Sequence, residues 1–481
     1  MTFDMIFRKP NAYLVLILGF LLSGCATNPV SGKQDFVLMS EAQEIALGKQ
    51  SHQQILKEYE VYQDAKVQAV MNRVGQAIAA KSHRNQLDFT FTVLDSPEIN
   101  AFALPGGYVY ITRGIMAYLN SEEELAGVIG HEIGHVTARH GVKQQSAQSA
   151  AGLMGVLVAV ATGNKGIAQN TSLISNALVS GYGRNHELEA DRLGAEYLAR
   201  TGMNPESMLK VIGVLKNQEL FAKEKAKASG EPAKAGYHGV FSSHPDNDKR
   251  LQEVIRAAKK FQTARQAPID SSAFLQYTDG LVFGDSEAQG IIRKHEFFHK
   301  SLNLHITFPE NWQLINKPDR LLAVAPNKAQ IIQFMLGDPK AQNARGFLRK
   351  TFPSLSLGES RGKNIYTGST ELDSPWGKRN GRVAAVRHQD KMFLMMAVGS
   401  KQTPNLDFFN SVSSLGKIRR NQRKYANGKK IKLIRVKRGD TFARLAKRSN
   451  LGQYEVSQLR LINGLYPSGE PTVGRFIKIV Q

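Results

Sequence analysis

The chain has 481 residues, of which 42% are hydrophobic and 22% charged. That is room for about three domains, with enough apolar material to exclude global disorder. The net charge of +22 is concentrated towards the C-terminal third, so basicity does not characterise the first two thirds. The single cysteine excludes an intramolecular disulfide framework and any cysteine-ligated metal site within one chain.

Residues 1–25 read as an export signal. Arg8 and Lys9 supply a positive start, and the apolar run 12–22 is too short for a confident membrane span. Leu22-Ser23-Gly24-Cys25 resembles a bacterial lipobox, which implies acylation of Cys25 as the first mature residue. An uncleaved apolar anchor is the competing reading, and either one gives an exported, membrane-tethered protein. Ala26 follows, with no aspartate to retain the protein at the inner membrane. By that resemblance the periplasmic face of the outer membrane is expected.

Ser40 with Gln43 caps an expected helix through residue 59, and residues 65–81 repeat apolar positions at helical spacing. Residues 89–94 and 107–112 are strand candidates, the second entered through Pro105-Gly106-Gly107. A strand beside a catalytic helix can hold an extended peptide by main-chain pairing. The next helix begins at Ser121, which forms a capping box with Glu124. Glutamates 122–124 suit its positive end, and Gly141 is expected to stop it.

That helix carries Gly130-His131-Glu132-Ile133-Gly134-His135. Two histidines at i and i+4 share one face about one turn apart, so both imidazoles can reach one zinc ion, with Glu132 beside the attacking water. A two-histidine site needs a third protein ligand. Glu187-Leu188-Glu189-Ala190-Asp191 repeats the i, i+4 spacing with carboxylates. One of Glu187 and Asp191 can bind metal while the other braces a ligand histidine. Glu189 falls on another face and is expected to be solvated. His140 is expected to act as a favourable charge at a helix C-terminus, and His52, His83 and His186 are given no site role. The apolar, Gly/Ala-rich run 150–162 reads as a buried helix or a flap over the cleft. Residues 210–221 continue a helical pattern, and 223–239 read as a loop.

His-Glu-x-x-His followed by Glu-x-x-x-Asp resembles the M48 zinc metallopeptidases, and two further segments strengthen the likeness. Asn100-Ala101-Phe102-Ala103-Leu104-Pro105-Gly106-Gly107 is similar to the family's Asn-Ala-Phe-Ala-x-Pro-Gly-Gly, and Ser243-His244-Pro245 with Arg250 to its Ser/Thr-His-Pro-x-x-x-x-Arg. The four matches stand in the expected order within residues 35–265. The resemblance implies a mainly helical gluzincin domain over 26–265 with a small edge sheet, in a chain of α+β class. It implies one zinc per chain, held by His131, His135 and Glu187. Glu132 is then the general base and Asp191 orients a ligand. His244 helps with the oxyanion or takes a fourth metal position at rest, against a purely structural His-Pro corner. Asn100, Ala101, Phe102 and Ala103 form the substrate-binding edge, against a turn-forming role for Asn100.

His295-Glu296-Phe297-Phe298-His299 spells the metal motif a second time. It runs into an alternating segment expected as a strand, where i and i+4 lie about 13 Å apart, too far for one metal. It is rejected as a zinc site. Residues 266–416 read as an α/β domain with an antiparallel sheet. Strands are expected at 321–325, 330–335 and 383–398, and helices near 340–350 and 405–415.

Residues 417–434 read as a basic linker, inside a run from 417 to 438 holding eleven Lys and Arg and no acid. Such a run is solvated or touches anionic polymers, and export disfavours nucleic acid as a partner. Residues 435–481 contain Arg438-Gly439-Asp440-Thr441, Ile462-Asn463-Gly464-Leu465 and Gly474-Arg475-Phe476-Ile477, a succession that resembles a LysM module of βααβ form. The resemblance implies peptidoglycan as a partner, against a module that only packs on the protease. Together these readings predict a zinc endopeptidase of the periplasm acting on misfolded or unassembled envelope polypeptides. A wall-associated chaperone or scaffold with a latent site is the alternative. A peptidoglycan amidase is disfavoured by the Glu-x-x-x-Asp partner motif.

Overall fold

The computed structural model describes residues 25–149, 183–229, 256, 271–361, 364–449, 451–452 and 454–481. Residues 1–24 of the expected export signal, the run 150–162 and Ser243-His244-Pro245 with Arg250 lie outside them. There are two compact units, one running to Leu281 and resuming over Lys430–Gln481, the other Val282–Lys429. Among the described residues, no helix is long and apolar enough to cross a membrane.

The first unit opens with a two-stranded hairpin, β1 (Cys25–Thr27) and β2 (Gln34–Phe36). Helix α1 (Glu41–Glu58) begins with both halves of the expected capping box. Gln43 N donates to Ser40 Oγ, and Ser40 N donates to Gln43 Oε1. Helix α2 (Ala65–Ala79) is capped by Asp64 and buries Val67, Val70, Met71, Val74 and Ile78, the 3–4 spacing of one apolar stripe.

Strands β3 (Thr90–Leu94), β4 (Ala101–Leu104) and β5 (Tyr108–Thr112) form a small sheet in the order β3-β5-β4. β3 runs parallel to β5 and β4 antiparallel to it, so β4 lies at an edge. The β4–β5 turn places Gly106 and Gly107 at φ of 78° and 97°, backbone that residues with a side chain seldom adopt.

Three helices complete the part that carries the metal motif: α3 (Glu122–Thr137), α4 (Arg184–Arg200) and α5 (Ser207–Ser229). The loop expected from residue 223 is helical through Ser229, because Lys223-Glu224-Lys225-Ala226-Lys227-Ala228 consists of strong helix formers. Helix α3 also stops earlier than expected. It ends at Thr137, Arg139 adopts φ of 57°, and residues 140–149 start a new helical segment containing Gly141. The break is held from outside. Arg139 Nε donates to Glu44 Oε2 (2.9 Å) and its Nη2 to Met39 O (3.0 Å). Arg84 Nη1 donates to Glu44 Oε1 (2.6 Å) and to Val136 O (3.2 Å), placing a cation on the last carbonyls of α3.

The second unit has a three-stranded antiparallel sheet, β6 (Ile291–Arg293), β7 (Glu296–His299) and β8 (Leu304–Thr307). It also has a seven-stranded antiparallel sheet of β9 (Gln313–Asn316), β10 (Leu321–Val324), β11 (Gln330–Leu336), β12 (Ser356–Arg361), β13 (Ile365–Leu372), β14 (Arg379–His388) and β15 (Lys391–Gly399), in the order β9-β10-β11-β15-β14-β13-β12. The run expected over 383–398 is two strands, reversed at Gln389 with φ of 55°. Alternation along β14 sends Ala384 and Val386 to one face, with Phe408 and Val412 of α7 (Asn405–Ser414). It sends Val383 and Ala385 to the other, with Phe347 and Leu348 of α6 (Ala344–Thr351). Both faces of this sheet are therefore covered by helix. Within the stretch read as a linker, Arg420–Ala426 form a 3₁₀ helix with Ala426 buried.

The C-terminal module returns to the first unit. Strands β16 (Lys429–Arg435) and β17 (Phe476–Val480) pair antiparallel around α8 (Phe442–Ala446) and α9 (Glu455–Ile462), giving the expected βααβ order. Asn463 ties the turn after α9 to β17, its Oδ1 accepting from Lys478 N (2.7 Å) and its Nδ2 donating to Lys478 O (2.9 Å). The Lys478 side chain is fully buried and its Nζ donates to Ala117 O (2.7 Å) and Leu119 O (2.9 Å), in the turn that leads into α3. Tyr466 Oη donates to Glu224 Oε2 on α5 (2.8 Å).

Candidate metal centre

Helix α3 starts as its cap predicts in one half only. Glu124 N donates to Ser121 Oγ (3.1 Å), but the Glu124 carboxylate accepts from Asn120 N (2.6 Å) instead of closing the box on Ser121. Its residues from Glu124 to Thr137 are all buried. Burial on every side requires small residues where neighbours cross. A Cβ on Gly134 would stand 2.9 Å from Ala190 O, and one on Gly130 3.3 Å from Gly194 Cα. These glycines let α3 and α4 approach backbone to backbone, which brings the carboxylates of α4 onto the histidines of α3.

The result is a convergence of three buried side chains. Ligand atoms of His131, His135 and Glu187 all lie within 4.8 Å of one another. His131 Nε2 is 3.0 Å from His135 Nε2 and 3.6 Å from Glu187 Oε2, and His135 Nε2 is 3.4 Å from Glu187 Oε1. Two imidazole nitrogens and a carboxylate oxygen are a donor set suited to a borderline divalent cation. Burial lowers the pKa of His135, holding its ring in the neutral form that ligates. Among the described residues, this group alone brings three or more His, Cys, Asp or Glu ligand atoms together in this way.

The other expected residues fall around it. Asp191 Oδ1 lies 2.8 Å from His131 Nδ1, behind the ring nitrogen that faces the cluster. Glu132 is buried on the same helix, at 2% exposure. Ala103, with Leu104 and Pro105, lines a small cavity together with His135, Val136 and Arg139, so edge strand β4 borders the centre. Strand alternation turns Phe102 the other way, where it stacks on Tyr110 at 4.8 Å in an apolar cluster, while Ala101 is buried opposite Ile111. Asn100 is fastened through its backbone to Thr112, and its buried Oδ1 has no hydrogen-bond partner among the described residues.

Two residues given bland roles stand next to the ligands. His140 is buried, and its Nδ1 lies 2.8 Å from His135 Nδ1. Burial takes its pKa down to about 4, so it is a neutral ring and not the helix-terminal cation expected. Glu189, expected in solvent, is half-buried, and its Oε2 is 3.1 Å from His140 Nε2. His140 holds that carboxyl below its ordinary pKa. His186 stacks on His140 with ring centroids 4.3 Å apart and planes 19° apart. Only a break in α3 brings position i+5 back onto i, and nothing in local spacing announced it.

The second His-Glu-x-x-His is split by a hairpin. His295 sits in a turn, Glu296 to His299 form β7, and Glu296 Oε1 takes a cross-strand bond with His305 Nε2 (2.7 Å). Its ligand atoms do not converge.

Comparison with known proteins agrees with this geometry. Residues 63–258 match the model of Peptidase family M48, and residues 434–480 match that of the LysM domain. The beta-barrel assembly-enhancing protease of Escherichia coli is 25% identical over 428 residues, covering 79% of this chain and 85% of that protein. A putative beta-barrel assembly-enhancing protease of Vibrio cholerae is 28% identical over 235 residues, covering 47% of this chain and 46% of that protein. A mitochondrial metalloendopeptidase of Saccharomyces cerevisiae is 25% identical over 268 residues, covering 52% of this chain and 74% of that protein. The chain carries a metallopeptidase domain of family M48 and a C-terminal LysM domain.

Proposed function

We propose that this M48 metallopeptidase is a zinc-dependent endopeptidase of the bacterial periplasm that hydrolyses misfolded or unassembled envelope proteins. The observation that carries the proposal is the convergence of His131, His135 and Glu187 on two helices packed through glycine, with Glu132 on the same helix. In this reading those three side chains hold one zinc ion, which when bound polarises the scissile carbonyl and acidifies water. Glu132 takes the proton of the attacking water on its carboxylate and returns it to the leaving amine nitrogen. Asp191 accepts from His131 Nδ1–H, which keeps Nε2 bare towards the cluster. Edge strand β4 holds the substrate main chain by added strand pairing, and Asn100 Oδ1 supplies a buried acceptor beside it. His244 is proposed to act at the developing oxyanion.

The substrate class follows the printed names of two relatives, which act in β-barrel assembly. The leader and Cys25 support export and a lipid anchor in the inner leaflet of the outer membrane, and the LysM domain supports contact with peptidoglycan. The proposed division of the chain is the peptidase over 26–265, an α/β domain of separate role over 266–416, a basic linker over 417–434 that is itself folded as a 3₁₀ helix and most of β16, and the LysM module over 435–481.

The test is made in cells. An unassembled outer-membrane β-barrel protein is followed by pulse-chase in strains producing wild type or Glu132→Gln. Loss of the substrate with wild type and its persistence with Glu132→Gln are expected. Equal turnover in the two strains would contradict the proposed function.

A further inference from the structure

We infer that His140 and Glu189 form a hydrogen-bonded relay that positions His135 as a metal ligand, a carboxylate acting on the centre through an intervening imidazole. The inference rests on the reading of His131, His135 and Glu187 as the metal site.

Proton bookkeeping on two rings decides the direction of the relay. Two Nδ1 atoms 2.8 Å apart share one proton, so one nitrogen donates and the other is bare. His135 Nε2 faces Glu187 Oε1 and His131 Nε2, and it must be bare to bind a cation. Its proton therefore sits on Nδ1 and is donated to His140. His140 Nδ1 accepts, which leaves the His140 proton on Nε2, 3.1 Å from Glu189 Oε2. The reverse assignment would put an N–H on His135 Nε2 and close that nitrogen to the metal.

The fold builds this contact deliberately. In an unbroken helix, positions i and i+5 point about 140° apart and do not meet. Here α3 stops at Thr137, and Arg139 turns the backbone at φ of 57° under the hold of Glu44, so His140 swings back onto His135. His186 stacks on His140 and fixes its plane. The two ligand histidines are thereby held differently. His131 meets the Asp191 carboxylate directly at 2.8 Å, whereas His135 meets Glu189 one ring removed.

Zinc affinity, read by competition with a chromophoric chelator, and the visible absorption of Co²⁺-loaded protein test the relay. His140→Leu is expected to weaken zinc binding by about 10- to 100-fold and to shift the Co²⁺ bands. Glu189→Gln should weaken it less, and the double variant should be no worse than His140→Leu alone. His140→Gln, whose amide both accepts and donates, should recover most of the affinity. Affinities within about two-fold of wild type with unchanged Co²⁺ bands in His140→Leu and Glu189→Gln would overturn the relay, as would multiplicative losses in the double variant. If His140→Leu does not fold, Glu189→Gln on the half-exposed end decides alone. Wild type without stoichiometric zinc, or His131→Ala that keeps it, would overturn the metal-site reading itself, a result distinct from an intact site indifferent to His140.

Discussion

Glu44 shows how much a single buried carboxylate does in this fold. It stands on α1, yet it receives the guanidinium groups of Arg84 and Arg139, which are 1% and 7% exposed. Those contacts hold the end of α3 and the turn after it, and so the placement of His140. Removing one partner from a buried ionic network leaves uncompensated charge, at a cost of roughly 3–5 kcal/mol. Glu44→Ala is therefore expected to lower unfolding stability by about that amount in denaturant titration, although it touches no metal ligand. Lys478 makes a second prediction at this scale. Burial pulls its pKa down to about 7, below the usual lysine value, and Glu124 is the charged group that faces it. The folded state thus binds fewer protons than the unfolded chain between pH 7 and about 10.4, so stability from this group rises with pH across that window. A neutral amine still has two N–H groups for Ala117 O and Leu119 O. Denaturation midpoints at pH 7 and pH 9 should differ more in wild type than in Lys478→Met; equal differences would remove Lys478 from the account.

Elements were legible in the sequence where their signals are local. The box at Ser40 and Gln43 and the stripe of α2 follow from residues within one or a few turns, whereas the βααβ order of the last module came from its resemblance to LysM. The i, i+4 pairs of α3 and α4 were legible for the same reason, and the two helices do bring His131, His135 and Glu187 together. What was not legible depends on distant partners. The stop of α3 at Thr137 is set by Glu44, 95 positions from Arg139, and the docking of β17 by carbonyls more than 350 positions from Lys478. Glu189 looked solvated because helical spacing alone turns it from Glu187, and its partner His140 comes from beyond the break in α3. The crossing of α3 and α4 also makes a sharp prediction. Gly134→Val would drive a branched side chain into Ala190, where even a Cβ stands 2.9 Å from a carbonyl oxygen. The helices must separate, so zinc affinity should fall by at least ten-fold while far-ultraviolet circular dichroism stays helical. Unchanged affinity would show that the close crossing is not what sets the site.

At the scale of the molecule, the LysM domain belongs to the same compact unit as the peptidase elements, fastened by Lys478 beneath the start of α3 and by Tyr466 on α5. It is thus a structural part of that unit as well as a module of recognisable kind. The unit Val282–Lys429 has its own two-faced sheet and contains the second His-Glu-x-x-His, spent on a hairpin. The contrast between the two copies of that motif gives the most direct test of the central claim, that hydrolysis runs through α3. Purified wild type, Glu132→Gln and Glu296→Gln are incubated with casein and zinc, and the zinc bound by each is measured. Cleavage by wild type and Glu296→Gln is expected, and none by Glu132→Gln, which still binds one zinc. Cleavage that survives Glu132→Gln, or that Glu296→Gln abolishes, would contradict that claim.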